Sequence, residues 1–140
     1  MYKTKYFSIE ELVPKAILSK YGDSSWQFLD NRVLETIDFI REHLNRSITI
    51  NNYKWGGRFQ NRGYRSNLYK NNSLYASQHL HGRAIDFVVE DMSVVEVHKW
   101  LRMNQNKLPY PLWVEDIDGM NWVHIDIRQS DKGKLYFFKP

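Results

Sequence analysis

The segment Ser77-Gln-His79-Leu-His81-Gly-Arg-Ala-Ile-Asp86 gathers two imidazoles, a hydroxyl and a carboxylate, and Trp122-Val-His124-Ile-Asp126 adds a third imidazole and another carboxylate. Two imidazoles with one carboxylate suit a catalytic zinc. Three protein ligands of borderline hardness leave the fourth tetrahedral position open for water. Zinc in turn lowers the pKa of that water toward 7 and polarises a scissile carbonyl. Asp86 carries the argument furthest, because it stands between Ile85 and Phe87 in an otherwise apolar run. A carboxylate buried there is costly unless it is paired or holds a metal. The plainer alternative makes His79 and His81 loop residues and His124 a hydrogen-bonded core histidine, and leaves Asp86 unaccounted for.

Several elements must position these groups. Ser8-Ile-Glu-Glu11 reads as a capping box, followed by Ile9, Leu12, Val13, Ala16 and Ile17 at helical spacing, with Pro14 expected to kink or shorten the helix. A firmer helix is expected over residues 31–44, where Val33, Ile37, Ile40 and Leu44 form one stripe. Residues 47–53 (SITINNY) look like a strand by their β-branched content. Residues 54–78 have no period; they mix turn formers, aromatics and arginines, a pattern more often functional than decorative. A strand is expected over 83–89, then a second capping box at Ser93–Glu96 opens a helix to about Arg102. Residues 112–117 and 121–127 read as strands about a turn, with a last strand at 134–138. Helices and strands are mixed without regular alternation, which favours an α+β fold with a mainly antiparallel sheet flanked by helices.

A length of 140 residues points to one domain over residues 1–140. With no cysteine, a disulfide scaffold, a thiolate zinc finger, an iron–sulfur site and a cysteine nucleophile are all excluded. The net charge of +4 eases approach to anionic polymers, nucleic acid or bacterial wall, without choosing between them. No apolar run is long enough to span a membrane. The first residues lack the apolar region of a secretory signal, so synthesis in a cytoplasm is expected, with any action outside needing another exit.

The pattern Ser77-x-His79-x-x-Gly82-x-Ala84-x-Asp86, followed by Trp122-x-His124, resembles the zinc D-Ala-D-Ala carboxypeptidase family. These metallopeptidases share the hedgehog/DD-peptidase fold and include phage endolysins that cut peptidoglycan stem peptides. Phe7-Ser-Ile-Glu-Glu-Leu12, the 31–44 helix, the Ile48-Thr-Ile-Asn strand and Gly63-Tyr64-Arg65 resemble the family's lead-in. The resemblance implies His79, Asp86 and His124 as zinc ligands, and Ser77 beside the first of them, touching substrate or supporting that ligand. Arg65 would match the arginine that steadies a substrate carboxylate or the developing oxyanion, with Arg62 the neighbouring alternative; arginine's planar fork suits either. His81 falls at a variable position and is read as substrate-facing or structural. Many relatives carry the catalytic glutamate where this chain has Asn121, and residues 55–60 look inserted ahead of Gly63.

The base must then come from Glu115, Asp116 or Asp118. A two-residue turn at Gly119-Met120 sets Glu115 opposite His124. A turn at Asp118-Gly119 instead sets Trp113 there, with Glu115 a diagonal neighbour. Both put Glu115 on the histidine's face and turn the two aspartates away. Glu115 is therefore the expected general base, taking a proton from the attacking water and passing it to the leaving amine. Asp126 could orient a ligand imidazole or pair with a nearby lysine or arginine. Trp55, Trp113 and Trp122 could floor a substrate groove or be plain core.

These expectations describe a zinc peptidase acting on peptidoglycan from an endolysin or a virion-borne hydrolase. A second reading keeps fold and zinc but makes the chain a non-catalytic module, such as a virion component. A third, single-stranded nucleic-acid binding through residues 54–70, uses the interleaved basic and aromatic side chains but leaves Asp86 and the histidines unexplained.

Overall fold

The structure is a computed structural model that describes residues 1–66 and 77–140; the polar stretch at 67–76, part of the expected irregular segment, lies outside the described residues. Helix α1 is Lys15–Tyr21, α2 Asn31–Leu44 and α3 Val94–Met103. The strands are β1 Ile48–Thr49, β2 Ala84–Val89, β3 Leu112–Glu115, β4 Val123–Asp126 and β5 Leu135–Phe138. They form one sheet in the order β1-β2-β4-β3-β5. Every neighbouring pair is antiparallel except β3–β5, which is parallel. The architecture is thus α+β with a mixed, mostly antiparallel sheet.

Period-two alternation divides the sheet into a core face and a polar face. Ile85, Phe87, Val123, Ile125, Leu112 and Val114 point one way and are buried to 1% exposure or less. They join Val33, Leu34, Ile37 and Ile40 of α2 and Val97 and Leu101 of α3 in one cluster. Each such aliphatic side chain contributes roughly 1.5–3 kcal/mol by leaving water. The alternate residues Asp86, His124, Asp126 and Glu115 share the opposite face. The register pairs Asp86 with His124 and Trp113 with Asp126, and continuing it sets Glu115 level with His124. The folding energy of the core face thereby holds the polar face in place.

Helix α2 forms as expected and is opened by Asp30, whose carboxylate accepts the Arg32 N–H at 2.9 Å. The box at Ser93 and Glu96 opens α3 reciprocally, at 3.1 and 3.2 Å. Elsewhere local chemistry departs from the periodicity. The Ser8 box opens only a 3-10 turn, Ile9–Glu11, and Pro14 caps α1 instead of kinking a continuous helix, since it has no N–H to give the ladder. The expected 47–53 strand stops at Thr49. Asn51 and Asn52 follow, and their side chains capture the backbone of Arg62 and Phe59, both at 2.9 Å. Side-chain bonding of this kind competes with a sheet ladder.

The segment around Gly63 threads between the N-terminal turn and β2. Tyr64 N–H donates to the Leu12 carbonyl at 2.8 Å, and Asp86 N–H donates to the Arg62 carbonyl at 2.7 Å. Gly82 ends the 3-10 turn Gln78–His81 at φ 66°, and a Cβ there would meet the Phe28 carbonyl oxygen at 1.8 Å. Its own carbonyl accepts the Asp30 N–H at 2.9 Å, tying the His79 loop to the start of α2. Gly82→Ala combines a left-handed conformation with a backbone clash. It is expected to cost about 3 kcal/mol or more, read as a lowered midpoint in urea unfolding at constant slope.

Candidate metal centre

His79 rides on the turn after Ser77, Asp86 on the middle of β2 and His124 on the adjoining β4. All three are buried, and one ligand atom from each lies within 4.8 Å of the others. His79 Nε2 is 3.2 Å from Asp86 Oδ1, and His124 Nδ1 is 2.7 Å from the same oxygen. Each imidazole's far nitrogen is held. His79 Nδ1 lies 2.8 Å from the Gly63 carbonyl, so it carries the proton and donates, leaving the Nε2 lone pair for the cluster. His124 Nε2 lies 2.9 Å from Asp126 Oδ2. Asp126, with no exposed surface, also takes a bidentate pair from Arg128 at 2.6 and 2.7 Å. Asp126 thus does both things its position allowed. Outward anchoring of each ring is the arrangement that fixes tautomer and aim in metal sites. The group could hold a metal ion, with two nitrogens and one oxygen facing inward.

The electrostatics agree with an acceptor set that a cation would complete. Burial by itself would push the Asp86 carboxyl up, but hydrogen bonds and charge from His124 and His79 hold it well below the usual carboxylate range. Burial likewise works against charge on His124, yet Asp126 and Asp86 outweigh it and raise the imidazole to about 9. Without a metal, His124 is therefore an imidazolium at neutral pH. Its contribution to stability is complete below about pH 6.5 and is lost as the pH rises through about 9. The Asp86 contribution runs the other way, present above the usual carboxylate range and lost as pH falls. Thermal melts of metal-free protein are expected to decline between pH 6.5 and 9. Metal-loaded protein should decline far less over that window, because ligation keeps His124 neutral at both ends. An equal slope for both forms would remove His124 from the ligand set.

A cleft of about 300 Å³ opens over the cluster, lined by Arg65, Ser77, His79, Asp86, Glu115 and His124, with Trp122 and Phe138 among its other walls. Glu115 Oε2 lies 3.9 Å from His124 Nδ1. The hairpin combines features of both expected registers. Met120 N–H closes a turn on the Ile117 carbonyl at 3.2 Å, centred on Asp118-Gly119, yet Trp113 pairs with Asp126, the register expected for a turn one residue later. Irregular residues between the strands absorb the difference, and the parity that aims Glu115 at His124 is kept. Asn121 is exposed and lines a different cavity, with Val123 and Phe87.

Arg65 reaches the cluster but is engaged there. Its guanidinium bonds Asp86 Oδ2 at 3.2 Å and the Asn61 carbonyl at 2.8 Å, and its own N–H donates to the His79 carbonyl at 3.1 Å. Arg62 lies in the adjoining cleft, its guanidinium 3.6 Å from the centre of the Phe59 ring. His81 is exposed and not among the residues lining either cleft. Trp55 is 63% exposed and lines neither. Trp113 stacks under Arg128, 4.4 Å from its guanidinium carbon. Arg128 itself, which lines the cluster's cleft, was not singled out from the sequence. Its place two residues beyond Asp126, on the same strand face as His124, is the signal that could have found it. Among the described residues no helix is long and apolar enough to cross a membrane.

No family model, no curated protein and no solved structure matches this chain.

Proposed function

We propose that this chain is a zinc-dependent peptidase that hydrolyses peptide bonds of peptidoglycan stem peptides, on a hedgehog/DD-peptidase-like variant of the α+β architecture. The observation that carries the reading is the buried His79–Asp86–His124 cluster with a second carboxylate, Glu115, beside it at the floor of an open cleft. When bound, zinc supplies Lewis acidity, making water acidic enough to attack at neutral pH and polarising the scissile carbonyl. Glu115 Oε2 takes the proton of the attacking water and delivers it to the leaving amine nitrogen. Asp126 keeps the Nε2 proton of His124 and so aims Nδ1, while Arg128 holds Asp126 against the charge it must carry. Ser77 and Arg65 line the entrance, where a peptide carbonyl or carboxylate would meet them.

Peptidoglycan as substrate, and action on the wall after release from a producing cytoplasm or from a virion, rest on the resemblance of the Ser77–Asp86 and Trp122–His124 motifs. The direct test is digestion of purified peptidoglycan, followed through new amino termini. Digestion that stops on chelation and returns with zinc supports the peptidase. A protein that binds zinc but releases no amino termini from any wall type is instead a binding or structural module. Asn121, at the position of the usual glutamate, favours that alternative.

A further inference from the structure

Asp116 and Asp118 are not among the residues that line the metal cleft. They line instead a cavity of about 260 Å³ between the first turns of α3 and the β3–β4 connection. Among the described residues neither carboxylate makes a hydrogen bond or an ion pair. The chain as a whole is basic, at +4, so two unpaired acids on one cavity wall stand out from the field around them.

His98 lines the same cavity from the helix side. Its ring is 5% exposed and packs edge-on against Phe137, and its Nε2 is buried with no hydrogen-bond partner. Burial holds its pKa below the ordinary value; Asp116 pulls the other way and Arg102 adds to the effect. The imidazole is thus neutral at pH 7 and can accept a bond without repelling a cation. A buried ring nitrogen without a partner costs free energy that an incoming donor recovers.

The rim is apolar. Val95 is 75% exposed and Ile117 40%, and Val94 and Met120 complete the wall. Val94 and Met120 also border a neighbouring cavity of about 250 Å³, lined further in by Phe87, Met92 and Val97. The positive end of α3 does not turn this into an anion site. Glu96 already accepts the Ser93 N–H there, at 3.2 Å. A lysine side chain matches each feature: its aliphatic stem lies along apolar surface, and its three N–H donors meet two carboxylates and a ring nitrogen. A free alkylamine would leave Val95 and Ile117 in water, whereas aliphatic neighbours in a peptide would cover them.

We infer that this cavity docks a partner protein through an exposed lysine flanked by aliphatic residues, the ammonium held among Asp116, Asp118 and His98 Nε2. Docking there leaves the metal cleft open, because Glu115 lines that cleft and Asp116, the next residue, lines this one. The inference does not depend on the peptidase reading.

The test titrates N-acetyl-leucyl-lysyl-leucine amide, and the same peptide with norleucine or glutamate at its centre, into the full chain by NMR. Norleucine keeps the stem and removes the ammonium. The lysyl peptide is expected to bind at least about fivefold more tightly than the norleucyl one. Its shifts should centre on residues 93–98 and 116–120 and include the His98 Nε2 resonance. Asp116→Asn and Asp118→Asn should each reduce the preference and together abolish it. Neither acid has a partner to lose, so neither variant should lower the thermal midpoint. Equal binding of the lysyl and norleucyl peptides, or binding of neither, overturns the site. Tighter binding of the glutamyl peptide makes it an anion site at the α3 N-terminus and overturns it too. Butylamine that binds as tightly as the lysyl peptide replaces the protein partner with a free amine. Shifts centred on His79 and Glu115 would put the peptide in the metal cleft, which likewise refutes docking here.

Discussion

Protein purified without a metal-affinity tag is expected to carry close to one zinc per chain, and the His79→Ala variant essentially none. The expectation follows from three inward donors that have few other uses. Asp86 is buried in an apolar strand, and each imidazole has its far nitrogen already bonded, so its other nitrogen is left facing the Asp86 carboxylate. Removing His79 leaves one imidazole and one carboxylate, too few protein ligands for a stable catalytic zinc site. Loss of a supporting partner is milder: Asp126→Asn should weaken zinc by about 10–100-fold. The contrast between the two variants separates ligand from support. Elemental analysis reads both, and zinc is favoured over harder cations by the imidazole pair. If no metal is retained even after zinc is supplied, the peptidase reading falls and the cluster is a buried charge network.

Glu115→Gln is expected to retain zinc and to lose about 10²–10⁴-fold in the rate of wall digestion, the range typical for removing a general base. The amide keeps the size of the side chain and its place on β3, but cannot accept the proton of the attacking water. Retained zinc shows that the fold and cluster survive, so the rate loss belongs to the proton transfer. Glu115 is only partly buried and 3.9 Å from His124 Nδ1, close enough to act on a water in the cleft without being a ligand in the metal-free arrangement. Digestion at full rate by the variant would remove Glu115 from this role. Asn121 faces another cavity and should tolerate Asn121→Ala with no loss of rate.

Much of this was legible along the chain because it depends on local rules. The α2 stripe, the Ser93 box and the alternation in residues 83–89 are periodic signals that tertiary packing had no reason to override. Asp86 stood out because a carboxylate flanked by Ile85 and Phe87 must be compensated wherever that strand lies. The aim of Glu115 followed from strand parity, which survived a turn whose position and register do not match a simple hairpin. Where periodicity misled, a specific polar group intervened. Pro14 divided the first helix, and Asn51 and Asn52 turned the end of a strand into a clamp on the backbone of Phe59 and Arg62.

Residue types, strand alternation and the His79–Asp86 spacing were thus determined by the sequence alone, as was the strand face that Glu115 shares with His124. Tertiary structure decided what each group is bonded to. It set β4 beside β2 so that His124 meets Asp86, threaded Gly63 to hold His79, spent Arg65 on Asp86 and laid Arg62 over the Phe59 ring. The physical reason is that hydrogen-bond partners distant in sequence are chosen by packing of the opposite, apolar face of the sheet. That packing depends on the whole core at once and is not written in any one segment.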